Sequence, residues 1–174
     1  MNEFLKRAQE LSPELIRNRR HFHQYPEVRD ELPETVKYVK ERLTEMGYEP
    51  QEICKCGVVA LCGGKKPGKC IIIRGDMDAL PMPEETGLPY ASKNPGAMHS
   101  CGHDTHMAML LGAAKLLKAH EDQLEGLAIL MFQSDEEGLT GARDMIAAGA
   151  LENPHPDRAV AIHISADAVK TGQI

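Results

Sequence analysis

Apolar residues recur at two different periods along this chain, and the alternation between those periods predicts the fold. Residues 2 to about 24 place Phe4, Leu5, Ala8, Leu11, Leu15 and Ile16 at mostly helical spacing. Pro13 within this stretch reads either as a break or as the first turn of a second helix. A further helix begins near Leu32-Pro33, where proline is tolerated in the first turn, and runs through Val36, Val39, Leu43 and Met46 to a stop at Gly47. Three extended runs follow: around Ile53, GVVALCG at 57 to 63, and CIIIRGD at 70 to 76. The last two flank GKKPG, a turn-rich connection that predicts a hairpin. Residues 81 to 100 are rich in proline, glycine and polar side chains and read as a long loop, a feature that is usually functional in a compact domain. A helix then starts near Asp104 with Met107, Leu110, Leu111, Ala114 and Leu117 on one face. A buried strand at 127 to 133, a helix from about Thr140 to Ala150 and a strand from Ala159 to Ile164 complete the pattern. Strands alternating with helices predict an α/β architecture, a sheet with helices on both faces.

This layout sets the polar motifs. Asp76 and Asp78 follow the CIIIR strand, Glu136 and Glu137 follow the LAILMFQ strand, and His163 lies near the end of AVAIHIS. All fall at C-terminal strand ends, the edge where open α/β sheets build sites. Cys101 and His103 arrive from the loop before the Asp104 helix, and Gly102 between them permits a turn that aims both side chains at one ion. Thiolate, imidazole and carboxylate so grouped suit a catalytic divalent metal, with one unligated carboxylate left to move protons. Zinc, manganese, cobalt and nickel all fit this donor set. His106 is a candidate second ligand, an outer contact or a solvent-facing position being the favoured reading, and His99 is similarly ambiguous. His21 and His23 read as packing or capping residues of the first helical segment. Cys54, Cys56, Cys62 and Cys70 lack paired C-x-x-C spacing and read as strand packing.

Composition narrows the function further. The chain has 174 residues, the size of one domain, and a net charge of −6 from 20 basic and 26 acidic residues. The basic residues are scattered, which argues against a nucleic-acid partner. No apolar run approaches the ~18 residues of a membrane span, and the charged, amphipathic start is unlike a signal peptide, so a cytoplasmic location is expected. Five cysteines without a disulfide-like spacing fit reduced thiols.

The segments RRHFHQYPE, GDMDALPM, MHSCGHDTHMAMLLGAAKLL, FQSDEEGLTGARDMI and AIHIS resemble, in order and approximate spacing, the amidohydrolase branch of the aminoacylase and carboxypeptidase metallohydrolases, which includes hippurate hydrolase, N-acetyldiaminopimelate deacetylase and indole-acetyl-amino-acid hydrolases. The resemblance covers essentially the whole chain and implies a zinc-exopeptidase-like catalytic domain acting on the amide bond of N-acyl amino acids. It implies Cys101 as a ligand shared between two ions, His103 and His163 as ligands of the first, Glu137 as a ligand of the second, Glu136 as general base, and Asp78 as the residue orienting a metal-bound histidine. Proline and alanine usually stand in that family where this chain has Ser134 and Asp135; the extra carboxylate either alters the proton affinity of the base or faces solvent. Family members are much longer, with a lid or dimerisation domain after AIHIS and a return segment carrying the last histidine ligand. Residues 1–174 are accordingly expected to be the N-terminal portion of a single catalytic domain, truncated before the lid, with a homodimer belonging to a full-length form. One ion, held by Cys101, His103 and His163, is expected more readily than two. Uncovered sheet edge and apolar helix face are expected as well. The alternatives are a catalytically incomplete metal-binding fragment and a cysteine-nucleophile hydrolase using Cys101 with His103 or His106.

Overall fold

A computed structural model describes residues 2–165. The N-terminal helical stretch divides at Leu11 into α1 (Glu3–Glu10) and α2 (Ser12–Gln24), with Pro13 in the first turn of α2, where its missing N–H costs nothing. Next come α3 (Pro33–Glu45), β1 (Gln51–Ile53), β2 (Gly57–Gly63) and β3 (Lys69–Asp76). The chain continues through the loop of residues 77–102 into α4 (His103–Ala119), then β4 (Gly126–Gln133), α5 (Gly141–Ala147) and β5 (Arg158–Ala161).

The five strands form one mixed sheet in the order β1-β2-β4-β3-β5. β1 and β4 both run antiparallel to β2, whereas β3 lies parallel to β4 and to β5. The hairpin expected between β2 and β3 does not form, because β4 lies between them, pairing Leu61↔Ile129 on one side and Ile72↔Ile129 on the other. β4 is buried along nearly its whole length, and only a central position both covers its two faces and pairs its two edges. The connection after β2 instead bends around the start of β4: Gly64 N–H donates to the Gly126 carbonyl at 2.8 Å, and Gly126 N–H donates to the Lys66 carbonyl at 3.2 Å.

Period-two alternation in β4 divides the core. Ala128, Leu130 and Phe132 join Val58, Ala60 and Cys62 under Phe22, Val39, Leu43, Met107 and Leu111 from α2, α3 and α4. On the opposite face Ile129 and Met131 pack with Ile72 and with Met145 of α5. Helices therefore cover both faces, as the sequence pattern predicts. Among the described residues β5 pairs only with β3, and Val160 on it and Ile162 and Ile164 after it are exposed, as expected of an uncovered edge. No described helix is long and apolar enough to cross a membrane.

Candidate metal centre

Parallel β3 and β4 end side by side, with Asp76 opposite Gln133, and this register brings the segments after both strands to the same sheet edge. α4 begins at that edge. Gly102 precedes it with φ +93°, a conformation that favours glycine, and a Cβ there would lie 2.3 Å from Ile164 Cδ1. The residue between Cys101 and His103 thus has two reasons to be glycine.

His103 is fully buried, and its Nδ1–H donates to the Asp78 carbonyl at 2.8 Å. A carbonyl only accepts, so in the neutral ring Nε2 carries the lone pair. That nitrogen faces Asp76 Oδ2 at 3.7 Å, Glu136 Oε2 at 3.7 Å and Glu137 Oε1 at 3.8 Å. His163 repeats the arrangement: its Nδ1–H donates to the Ile164 carbonyl at 2.6 Å, which leaves the Nε2 lone pair facing Cys101 Sγ at 3.4 Å. His103 is buried and His163 exposed, but both have Nδ1 held by a backbone carbonyl and Nε2 facing other candidate ligand atoms, as metal-ligating histidines usually do.

Asp78 plays two parts. Its carbonyl orients His103, while its carboxylate stands 3.6 Å from His103 Nδ1 and instead accepts from the amides of Glu136 at 3.0 Å and Glu137 at 3.1 Å. The histidine-orienting contact expected of Asp78 therefore runs through its main chain, and the side chain fixes the glutamate pair. Asp135 does not face solvent: it is buried, with φ +47°, and accepts from the Thr140 hydroxyl inside the turn that carries Glu136 and Glu137. Gly138 and Gly141 make that turn possible, since a Cβ on Gly141 would meet the Ser134 carbonyl oxygen at 1.6 Å.

The electrostatics suit a cation. Burial, the adjacent Glu137 and then Glu136 and Asp76 push the Cys101 thiol up to about 12. Burial works to lower His103, but Asp78 and Asp76 outweigh it and the net direction is upward. Clustered negative charge adds to burial at Cys101 and overcomes it at His103, the condition in which a divalent ion is stabilising. His103 Nε2 and Glu137 Oε1 are buried without a hydrogen-bond partner among the described residues, an arrangement that is costly unless something occupies the space between them. Their 3.8 Å separation exceeds a hydrogen bond and lies within the roughly 4 Å spanned by two metal–ligand bonds of about 2.0–2.1 Å. Ligand atoms of Cys101, His103 and His163 form one compact group, and those of His103, Glu136 and Glu137 another, so His103 joins the two.

The geometry gives little support to a Cys101 nucleophile activated by His103 or His106: the hydrogen-bond partner of Cys101 is His163, and both nitrogens of His106 are engaged elsewhere. A thiol raised so far also makes a poor nucleophile. His106, left between an outer contact and a solvent position by sequence, is buried: Nδ1–H donates to Asp76 Oδ1 at 2.6 Å, and Nε2 accepts from Ile164 N–H at 3.0 Å. His99 is buried, and the resulting desolvation lowers its pKa to about 4. His21 stacks on Tyr38 with ring centroids 3.8 Å apart, and His23 bridges Asp104 and Glu84. The contribution of Asp76, which holds His106 and is itself held by Arg74 at 2.6 Å, was missed by sequence reasoning. A histidine three residues beyond His103, bordering the apolar stripe of α4, was the available signal for it.

A mixed sheet with helices on both faces and a Cys/His/Glu cluster at the C-terminal strand ends defines the class, an α/β fold of metallopeptidase type. The family model described as Peptidase family M20/M25/M40 matches residues 72–174, and the chain belongs to that family. It is 46% identical over 158 residues to an N-acetyl-L-cysteine deacetylase of Bacillus subtilis, covering 90% of this chain and 38% of that protein. It is 44% identical to thermostable carboxypeptidase 1 of Saccharolobus solfataricus, covering 91% and 41%. Among solved structures, the YXEP protein of Bacillus subtilis, described as a dinuclear metal-binding peptidase from the M20 family, superposes with a TM-score of 0.86 at 38% identity, covering 91% of this chain and 44% of that one. The chain thus spans about two fifths of the length of these curated relatives.

Proposed function

We propose that residues 1–174 form the N-terminal portion of a single catalytic domain of a metal-dependent amidohydrolase acting on N-acyl amino acids. The observation that carries this reading is the convergence of Cys101 Sγ, the Nε2 atoms of His103 and His163, and the glutamate pair in one cluster, with Nδ1 of each imidazole held by a backbone carbonyl. Cys101, His103, His163 and Glu137 would hold one or two divalent ions, zinc, manganese, cobalt or nickel. Such an ion supplies Lewis acidity, polarising the scissile carbonyl and acidifying water.

Glu136 is the general base in this proposal. Its side chain is 36% exposed and so accessible to substrate, its amide is held by Asp78, and its Oε2 stands 3.7 Å from His103 Nε2. It takes a proton from the attacking water and delivers it to the departing nitrogen, so no covalent enzyme intermediate is needed. The relatives' names support an acyl-amino-acid or peptide-like substrate, a deacetylase and a carboxypeptidase among them. A homodimer is proposed only for a longer form.

The test compares Glu136→Gln with the unaltered chain by elemental analysis and by turnover of N-acetyl and N-benzoyl amino acids. Equal metal content with turnover reduced about 10²–10⁴-fold or more is expected, and chelation should abolish turnover in the unaltered chain. Equal turnover removes Glu136 from the mechanism, and absence of bound ion removes the metal reading. Bound ion without turnover in the unaltered chain would favour a non-catalytic metal-binding unit.

A further inference from the structure

His106 lies outside the proposed ligand set, yet it is buried and both its ring nitrogens are committed. The Ile164 amide donates to Nε2 at 3.0 Å, which obliges that nitrogen to be unprotonated. Nδ1 therefore carries the proton and donates it to Asp76 Oδ1 at 2.6 Å, while Arg74 holds the other oxygen of Asp76. The tautomer of His106 is fixed from one side so that its lone pair is available on the other. A cation shared by Asp76, His103 and His106, whose atoms also cluster, is ruled out by these two commitments of the imidazole.

What His106 accepts is informative. Pairing between β5 and β3 ends at Arg74↔Ala161, so His163 and Ile164 lie beyond the ladder. The hydrogen bond from Ile164 reaches where the ladder does not. The Ile164 carbonyl is also the group that accepts His163 Nδ1–H at 2.6 Å. The two rings touch, with centroids 4.6 Å apart and planes at 67°, and Ile164 packs on Gly102 between Cys101 and His103.

We propose that His106 is the positioning residue of His163: held in one tautomer by Asp76, it anchors the Ile164 peptide and so directs His163 Nε2 at Cys101. This rests on the metal reading above but concerns a residue that contacts no ion. Partners of this kind typically change metal affinity about 10- to 100-fold when removed.

Three variants of the full chain separate positioning from packing. His106→Gln places an amide oxygen where Nε2 stood and can still accept from Ile164; His106→Asn reaches only the Nδ1 position, toward Asp76; His106→Leu offers neither. Each is titrated with Co²⁺, reading the thiolate-to-cobalt charge-transfer band for Cys101 and the d–d bands for the imidazole ligands, with circular dichroism to verify folding. The Asn and Leu variants are expected to keep the thiolate band, to bind about 10- to 100-fold more weakly, and to show the d–d spectrum of a His163→Ala reference protein titrated alongside them; the Gln variant should recover most of the affinity. Equal affinity and spectra for Gln and Asn, or a folded His106→Leu indistinguishable from the unaltered chain, would overturn the inference while leaving the metal reading intact. An unaltered chain with no thiolate band would overturn both.

Discussion

Replacing His23 by glutamine should destabilise the protein by an amount that depends on pH. His23 is buried between two carboxylates, with Nδ1 2.7 Å from Asp104 Oδ2 and Nε2 3.1 Å from Glu84 Oε1. Carboxylate oxygens only accept, so both contacts are hydrogen bonds only when the ring carries both protons. The hydrogen bond to Asp104, helped by Glu84 and opposed by burial, raises the pKa of His23 above its ordinary 6.5. Glu84 is lowered: burial opposes this, but Thr86, the Ser92 amide and His23 overcome it. The contribution of His23 is therefore fully present below 6.5 and lost as pH rises through its folded value; that of Glu84 is present above 4.5 and lost as pH falls through its folded value. The window holding both lies between 4.5 and 6.5.

A hydrogen bond to a charged group contributes about 1.5–3 kcal/mol, and glutamine can replace at most one of the two. Arg19 at 2.7 Å still covers Asp104, and the Ser92 amide at 2.5 Å still covers Glu84, so neither carboxylate is orphaned. A loss of roughly 2–4 kcal/mol is expected at pH near 5.5, narrowing by about one charged hydrogen bond near pH 8.5. Urea denaturation of both proteins at the two pH values measures this. A gap of constant size would refute the imidazolium, and with it the idea that charge ties α2 to the 77–102 loop.

The core yields two simpler expectations. Phe132 is fully buried between the sheet and its helices, so Phe132→Ala should cost about 3–5 kcal/mol in denaturant unfolding, and a loss below about 1 kcal/mol would mean that the site collapses. The buried Tyr48 hydroxyl donates to the Ala114 carbonyl at 2.7 Å, so Tyr48→Phe should lower stability by about 1 kcal/mol in the same assay, with the fold unchanged by circular dichroism.

Local signals in the sequence were sufficient for the helices and strands but not for the order of the strands. Leu32-Pro33 marks the start of α3 because proline fits a first helical turn, and Met107, Leu110 and Leu111 face the core as their spacing requires. GKKPG also looks like a hairpin turn when read alone. What overrides it is distant: β4, apolar on both faces, is buried only if it separates β2 from β3. Strand order is a decision of the whole core, and no five-residue window contains it.

The same distinction runs through the site. Cys101, His103, Glu136, Glu137 and His163 stand out because their residue types at C-terminal strand ends suggest chemistry. The residues that aim them do not, because aiming depends on hydrogen bonds across long sequence separations. Asp78 reaches His103 over 25 residues and the glutamate amides over 58 and 59, and His106 reaches Ile164 over 58. Asp78 joins three segments at once: the loop just after β3 that carries it, the start of α4 through its carbonyl, and the turn after β4 through its carboxylate. His103 and the Glu136-Glu137 pair are thereby fixed to one peptide unit and its side chain, so their mutual geometry is set before any ion binds. His163 is attached differently, beyond the end of an edge strand and through the Ile164–His106 hydrogen bond. Of the proposed ligands, it is the one whose position should respond most to changes at that edge.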